Sequence, residues 1–345
     1  MLQLHRAERA DRLADAVASV VTVPLPDPFT EEVVAVPTRG VERWLTQRLA
    51  LSLGAAAGRA DGVCANVAFP FPGRLIGDAV ATATGIDRDR DPWRPERLVW
   101  PLLEVVEQCL DDEWLAPLAA HLGHGAAPPA EADRPAWRGR RFAALRRITD
   151  LFDRYAVHCP DMLHAWVAGV DADGIGEPLP PDAAWQAALW RRLRERIGTP
   201  SPAERLAAAC ARLVDDPAVV ELPERVSLFG LTRLPASHLD VLHAVATARD
   251  VHLFLLHPSS VLWDTVRATT PTPSATVLRG DDTSGEHVHS PLLARWGRDA
   301  REMQVVLGRG GDAADRHYPC GSSRRRCSSA SKPTSAPTAS RRASR

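Results

Sequence analysis

The chain has 345 residues, 45% of them hydrophobic and 25% charged, with a formal net charge of -1. These are the proportions of a globular protein with a buried core, and no apolar run approaches the roughly 20 residues that a membrane span requires. Residues 316–345 hold seven Arg, one Lys and no acid, which leaves 34 basic against 43 acidic groups before them, about -9, so net charge does not hold the body on nucleic acid.

Residues 2–7, "LQLHRA", read as a strand, followed by a helix capped by Asp11 with Leu13, Val17, Val20 and Val21 inward. The strand "EVVAV" comes next, then a tight turn at Gly40. The helix after it places Val41, Trp44, Leu45, Leu49 and Leu53 on one face. "VCANVAFPFPGRLIGDAV" reads as a short extended segment, a Phe-Pro-Phe-Pro turn and a further helix. This β-α-β-α order predicts a parallel sheet and assigns residues 1–95 to the first part of an α/β domain.

From residue 96 to 218 the pattern is helical and reads as an inserted domain. Phe142, Leu145, Ile148, Phe152 and Tyr155 form one stripe, and Trp185, Leu189, Leu193 and Ile197 another. Proline-rich loops such as "GHGAAPPAEADRP" separate the helices. Over 219–312 strand periodicity returns: strand 226–229, helix 236–247 and strand 251–256, with a polar loop at 267–290. Residues 313–345 read as a disordered basic Ser/Arg/Pro tail, of the composition that a shifted reading frame gives in GC-rich DNA.

The segment Val34–Ala50 has the strand–turn–helix frame of a phosphate loop, with one glycine where two are needed and no G-K-[ST] ending. Lys332 is the sole lysine, so residues 1–331 offer no ammonium for a nucleotide phosphate. Strand 226–229 runs into Gly230-Leu231-Thr232 and strand 251–256 into His257-Pro258, neither with a carboxylate for magnesium. The sheet therefore reads as catalytically silent. "DADGIG" at 171–176 reads as a solvated turn, since Ile175 stands where a calcium ligand is needed. The pairs His121/His124 and His287/His289 lack a third ligand, "GRGGD" at 308–312 reads as linker, and six scattered cysteines form no metal or disulfide pattern. No metal site is expected. Trp44, Trp185 and Trp190 read as core, while Trp263 and Trp296 lie in loop-like sequence suited to packing or to base stacking.

The stretches "RGVERWL", "NVAFPFPGRLI", "DLFDRYAVHCPDML", "AWQAALWRRL", "LFGLTRLPASHLDVLHAV", "VHLFLLHPS" and "SPLLARWGRDARE" occur in an order that resembles the amino-terminal part of the RecC family, the gamma subunit of exodeoxyribonuclease V. The resemblance spans roughly residues 1–310 and implies a copy that stops inside the first helicase-like half. It implies a degenerate superfamily-one (RecA-like) parallel sheet domain carrying an inserted helical domain. It also implies a non-catalytic scaffold with RecB-type and RecD-type partners, acting on double-strand DNA ends and single strands and scanning the 3′-ended strand for a Chi-type hotspot. The chain itself would hold no cofactor, ATP and Mg belonging to the partner subunits, and would be cytoplasmic with no membrane contact.

Family positions that contribute to scanning fall on Thr38, Arg39, Arg43, Phe71, Asp150, Leu151, Asp153 and Arg154. The chain departs from the family pattern at Pro37, Arg39, Gly77 and Cys159, which implies a different hotspot sequence in the same channel. Two other readings stand beside this one. One is a nucleotide-dependent α/β enzyme using Arg39 or Arg43 in place of lysine; the other is a non-functional fragment.

Overall fold

The computed structural model describes residues 1–55, 62–125, 134–257, 259–269, 280–308 and 313–319, and only the backbone of 134–138. The predicted loop at 126–133, most of "GRGGD" and the tail from residue 320 onward lie outside the described residues.

Six strands form one all-parallel sheet: β1 (Leu2–Ala7), β2 (Glu32–Ala35), β3 (Val67–Ala68), β4 (Arg225–Phe229), β5 (Asp250–Leu256) and β6 (Ala314–His317), in the order β3-β2-β4-β5-β1-β6. Helices cover both faces, which is why β4 and the interior of β5 are buried throughout. Side chains alternate between two cores. Val226, Leu228, Val251, Leu253 and Leu255 pack against α3 (Pro72–Ala83), α9 (Pro202–Asp215), α10 (Ala236–Ala246) and α13 (Arg298–Leu307). Val34, Phe229 and Phe254 pack on the other side against α1 (Ala10–Val21) and α2 (Arg39–Leu49). At the amino ends of β2 and β4 the buried Glu32 carboxylate accepts from the Arg225 guanidinium, which ties the two strands in register.

Between β3 and β4 a third core joins α4 (Pro95–Gln108), α5 (Ala116–His121), α6 (Arg134–His158), α7 (Pro160–Val167) and α8 (Ala184–Ile197). Trp166 and Trp190 are fully buried at its centre, their rings edge-on at 6.2 Å, and the Trp166 indole donates to the Ala172 carbonyl at 2.7 Å. Helix α9 belongs to two cores: Ala203 at its start packs here and Leu213 at its end packs on the sheet. Its start is held by a capping box in which Ser201 and Glu204 satisfy each other's backbone N–H groups.

Local expectations change at several points. Arg9, not Asp11, is the cap position of α1; Asp11 lies in the first turn and accepts two bonds from the Arg9 guanidinium, at 2.9 and 2.7 Å. Gly40 makes no turn. The chain turns through 36–38, Thr38 caps α2 by accepting from the Val41 N–H at 3.2 Å, and Gly40 is already helical. Phe142 and Trp44 are half-exposed rather than core, leaning on Trp100 and Phe229. Residues 314–317, placed by composition at the start of a tail, form β6 on the edge of β1.

β6 escapes sequence reading because "ADRH" carries no large apolar side chain; the strand's own hold is polar. The Arg6 guanidinium donates to Asp315 at 2.6 Å, and the Tyr318 hydroxyl meets His5 Nδ1 at 2.8 Å. His5 Nε2 in turn meets His252 Nδ1 at 3.0 Å, and the His5 ring stacks on Phe254 with centroids 4.4 Å apart. The predicted loop at 267–290 begins as helix: α11 (Ser260–Thr269) buries Trp263. Trp296, at the end of α12 (Pro291–Trp296), is 81% exposed. No helix among the described residues is long and apolar enough to cross a membrane.

Candidate nucleic-acid interface

Parallel strands put all their carboxyl ends on one edge of the sheet, where α/β proteins place ligand-binding groups. Thr38 and Arg39 follow β2, and Phe71 follows β3, so three of the eight sequence-predicted positions share one end of that edge. Arg39 reaches over the Phe71 ring, 5.6 Å from its centroid, and pairs with Glu42 at 2.7 Å. Arg43 is one helical turn further along α2 and exposed. The Arg39 guanidinium and the 41%-exposed Phe71 ring therefore form a cation–aromatic pair at the surface.

The arrangement lacks a phosphate cradle. With Gly40 inside α2, the connection from β2 holds no glycine, and a Cβ built on Gly40 would meet only the Thr38 hydroxyl, at 3.7 Å. The frame that resembled a nucleotide loop is an ordinary capped helix.

The other predicted positions lie on α6. Arg146 bridges Glu96 at 3.2 Å and Asp150 at 3.5 Å, and the Arg154 guanidinium donates to the Asp150 carbonyl at 3.2 Å. Leu151 is half-buried beside them. Asp153 keeps an exposed surface, yet the surrounding protein shields it from bulk water. That desolvation, then the Asp150 and Glu96 charges, raises its carboxyl above the usual range, with Arg146 and Arg154 opposing. Glu96 is held low, first by its own backbone N–H and then by Arg146 and Arg94. No hydrogen bond, ion pair or ring contact among the described residues joins this carboxylate group to Arg39 and Phe71.

At Gly77 and Cys159, where the resemblance implies other side chains, close neighbours surround the residue present. The Arg88 guanidinium lies 3.5 Å from where a Gly77 Cβ would be and pairs with Asp78 at 2.8 Å, occupying the space of a larger residue at 77. Cys159 Sγ packs 3.2 Å from the corresponding point on Gly174, within the turn that Asp173 closes by accepting from the Ile175 and Glu177 N–H groups.

At the other end of the carboxyl edge the structure brings together three residues that sequence reading did not combine: Glu8 after β1, His257 after β5 and His317 at the end of β6. His257 was visible as the residue ending a buried strand. Its grouping with Glu8 and His317 depends on the strand order β5-β1-β6, which no local pattern encodes.

Comparison with known proteins finds relatives along most of the chain. A family model described as "RecC, N-terminal domain" matches residues 2–332. The RecBCD enzyme subunit RecC of Mycobacterium tuberculosis is 48% identical over 308 residues, which cover 89% of this chain and 26% of that protein. Its counterpart in Mycolicibacterium smegmatis is 46% identical over 306 residues, covering 89% and 25%. The Escherichia coli subunit is 26% identical, covering 89% and 28%. The chain thus spans about a quarter of the length of these relatives, with its matching residues running through both ends of the sheet. It belongs to the RecC family and corresponds to that family's N-terminal domain.

Proposed function

We propose that this chain acts as the amino-terminal scaffold and DNA-recognition part of a RecC-type subunit, within a RecB- and RecD-type helicase–nuclease that processes double-strand DNA ends for recombinational repair. The observation that carries this reading is the family match across residues 2–332. The fold is read as a superfamily-one helicase-like sheet that has lost its motor chemistry. In support, the β2–α2 connection is a capped helix without a phosphate cradle, and no lysine precedes residue 332.

In this reading the chain contributes surfaces rather than chemistry. Arg39 and Phe71 provide a cation and an aromatic face for a single strand as the duplex is split. Asp150 and Asp153 accept from cytosine amines and repel phosphate, so that a 3′-ended strand is read for a hotspot sequence without being gripped. ATP and magnesium chemistry resides in the partner subunits, in the cytoplasm.

The test is co-purification of the 345-residue chain with its RecB-type partner on a sizing column, with a longer RecC relative in parallel. A stable complex is the expected result. Binding by the longer protein alone would overturn the scaffold reading and favour a fragment without function of its own.

A further inference from the structure

We propose that Glu8, His257 and His317 form a binding site for one divalent transition-metal ion of the zinc class, at the carboxyl edge of the sheet. The three come from adjacent strands, and one ligand atom from each lies within 4.8 Å of the others. They are the one such group of three His, Cys, Asp or Glu residues among the described residues.

The second observation is unfulfilled polarity. His257 is 1% exposed and its ring is met by the Ser259 backbone, while neither ring nitrogen has a side-chain hydrogen-bond partner; Glu8 Oε2 is likewise buried without a side-chain partner. Glu8 Oε1 meets His317 Nε2 at 3.0 Å, and the His317 and His257 rings lie with centroids 5.4 Å apart. An unmet buried polar group is costly, and a fold does not ordinarily carry several side by side. A cation placed between the three satisfies an imidazole lone pair and the free carboxylate oxygen together.

The ligand set selects the ion. Two imidazoles and one carboxylate suit zinc and its neighbours, with an open fourth position for water. Calcium and magnesium demand six or more oxygens. Zinc bonds of about 2.1 Å place tetrahedral ligand atoms roughly 3.3 Å apart, so the side chains close by about an ångström on binding. Of the nearby positive charge, Arg6 pairs with Asp315 at 2.6 Å and stacks on Trp263, while its buried Nη1 lies 4.0 Å from Asp264 without a hydrogen bond. The ion joins His317 to Glu8 and His257, and so clamps the edge strand β6 onto β1 and β5.

The experiment uses the untagged 345-residue chain, loaded with zinc, freed of excess by gel filtration in metal-free buffer, and assayed by mass spectrometry of the element. The expected result is one zinc per chain, lost in His257→Asn and Glu8→Gln and kept in His121→Asn, a surface histidine elsewhere. Cobalt substitution of the wild-type chain decides the matter without any variant: ligand-field bands of a nitrogen–oxygen set are expected. Thiolate charge-transfer bands would put the metal on cysteine and overturn the assignment. So would the absence of stoichiometric zinc in the wild type, or its persistence in both ligand variants.

Discussion

Asp91 Oδ2 accepts from the Arg205 guanidinium at 2.6 Å in the interior, their side chains only 10% and 7% exposed, which fastens the chain ahead of α4 to α9. Asp91 Oδ1 also accepts from the Trp93 N–H at 3.0 Å, while Arg205 Nε and Nη1 have no partner. A buried pair of this kind is expensive to break and cheap to replace. Asp91→Ala is expected to lower unfolding free energy by about 3–5 kcal/mol, read from urea titration. The double variant Asp91→Leu with Arg205→Met recovers most of that loss; a double variant as unstable as the single would refute the argument.

The Arg6–Asp315 ion pair and the Tyr318–His5 contact give β6 its place, with Ala313 and Tyr318 beside the strand partly buried against the two cores. Removing the Asp315 carboxylate leaves Arg6, whose side chain is 10% exposed, with Asp264 at 4.0 Å as its remaining acid. Asp315→Ala is expected to cost roughly 3 kcal/mol. It should also raise amide exchange in 314–317 above that of β5. Unchanged exchange in β6 would show that backbone pairing alone secures it.

His5 and His238 are both held near pKa 4, first by burial, with His252 adding to the shift of His5 and His158 to that of His238. An unfolded histidine titrates near 6.5. Below that value the unfolded chain takes up protons that the folded chain refuses, so stability falls as pH drops from 6.5 toward 4. The slope is about 1.4 kcal/mol per pH unit for each fully shifted histidine. For buried His5 the loss at pH 5 is about 2 kcal/mol. Chemical denaturation at pH 7.5 and pH 5 measures the total, and His238→Gln is expected to show a smaller drop between the two. An equal drop in that variant would remove His238 from the account.

If Arg39 and Phe71 meet a single strand, their roles separate by salt. Phe71→Ala should weaken single-strand binding by about 1–3 kcal/mol with little change in salt dependence. Arg39→Ala should reduce the slope of log affinity against log salt by about 0.7. Fluorescence anisotropy with a labelled oligonucleotide, on the chain assembled with its partner, reads both. Equal salt slopes for wild type and Arg39→Ala would remove the phosphate role.

How much of this was legible beforehand follows from which forces hold each element. β1, β4 and β5 are visible in sequence because strands buried on both faces become continuous or alternating apolar runs. The stripe Leu145, Ile148 and Phe152 on α6 is visible for the same reason at helical spacing. β6 is invisible, because "ADRH" is held by a buried arginine more than 300 residues earlier in the chain. The turn at Gly40 was misplaced because a glycine after a strand suggests a loop, whereas the Thr38 hydroxyl had already started the helix. At the site, Arg39 and Phe71 were named on resemblance, and their contact depends on β3 lying beside β2. Glu8, His257 and His317 needed the whole strand order.

The position of β1 between β5 and β6 sets the order of events during synthesis. Leu2 pairs with Val251 and Gln3 with Ala314, and the amino terminus itself donates to the Ala246 carbonyl. Of the described strands, β1 thus waits longest for its neighbours. At ribosomal rates of roughly 5–20 residues per second, it waits on the order of tens of seconds for its first neighbour. The helices α4 to α8 close their own core from residues between those partners, so they can compact on the ribosome while the sheet is still half-made. Through that interval the apolar side chains of β1 stand unpaired, so shielding of this strand is expected to raise the yield of folded chain.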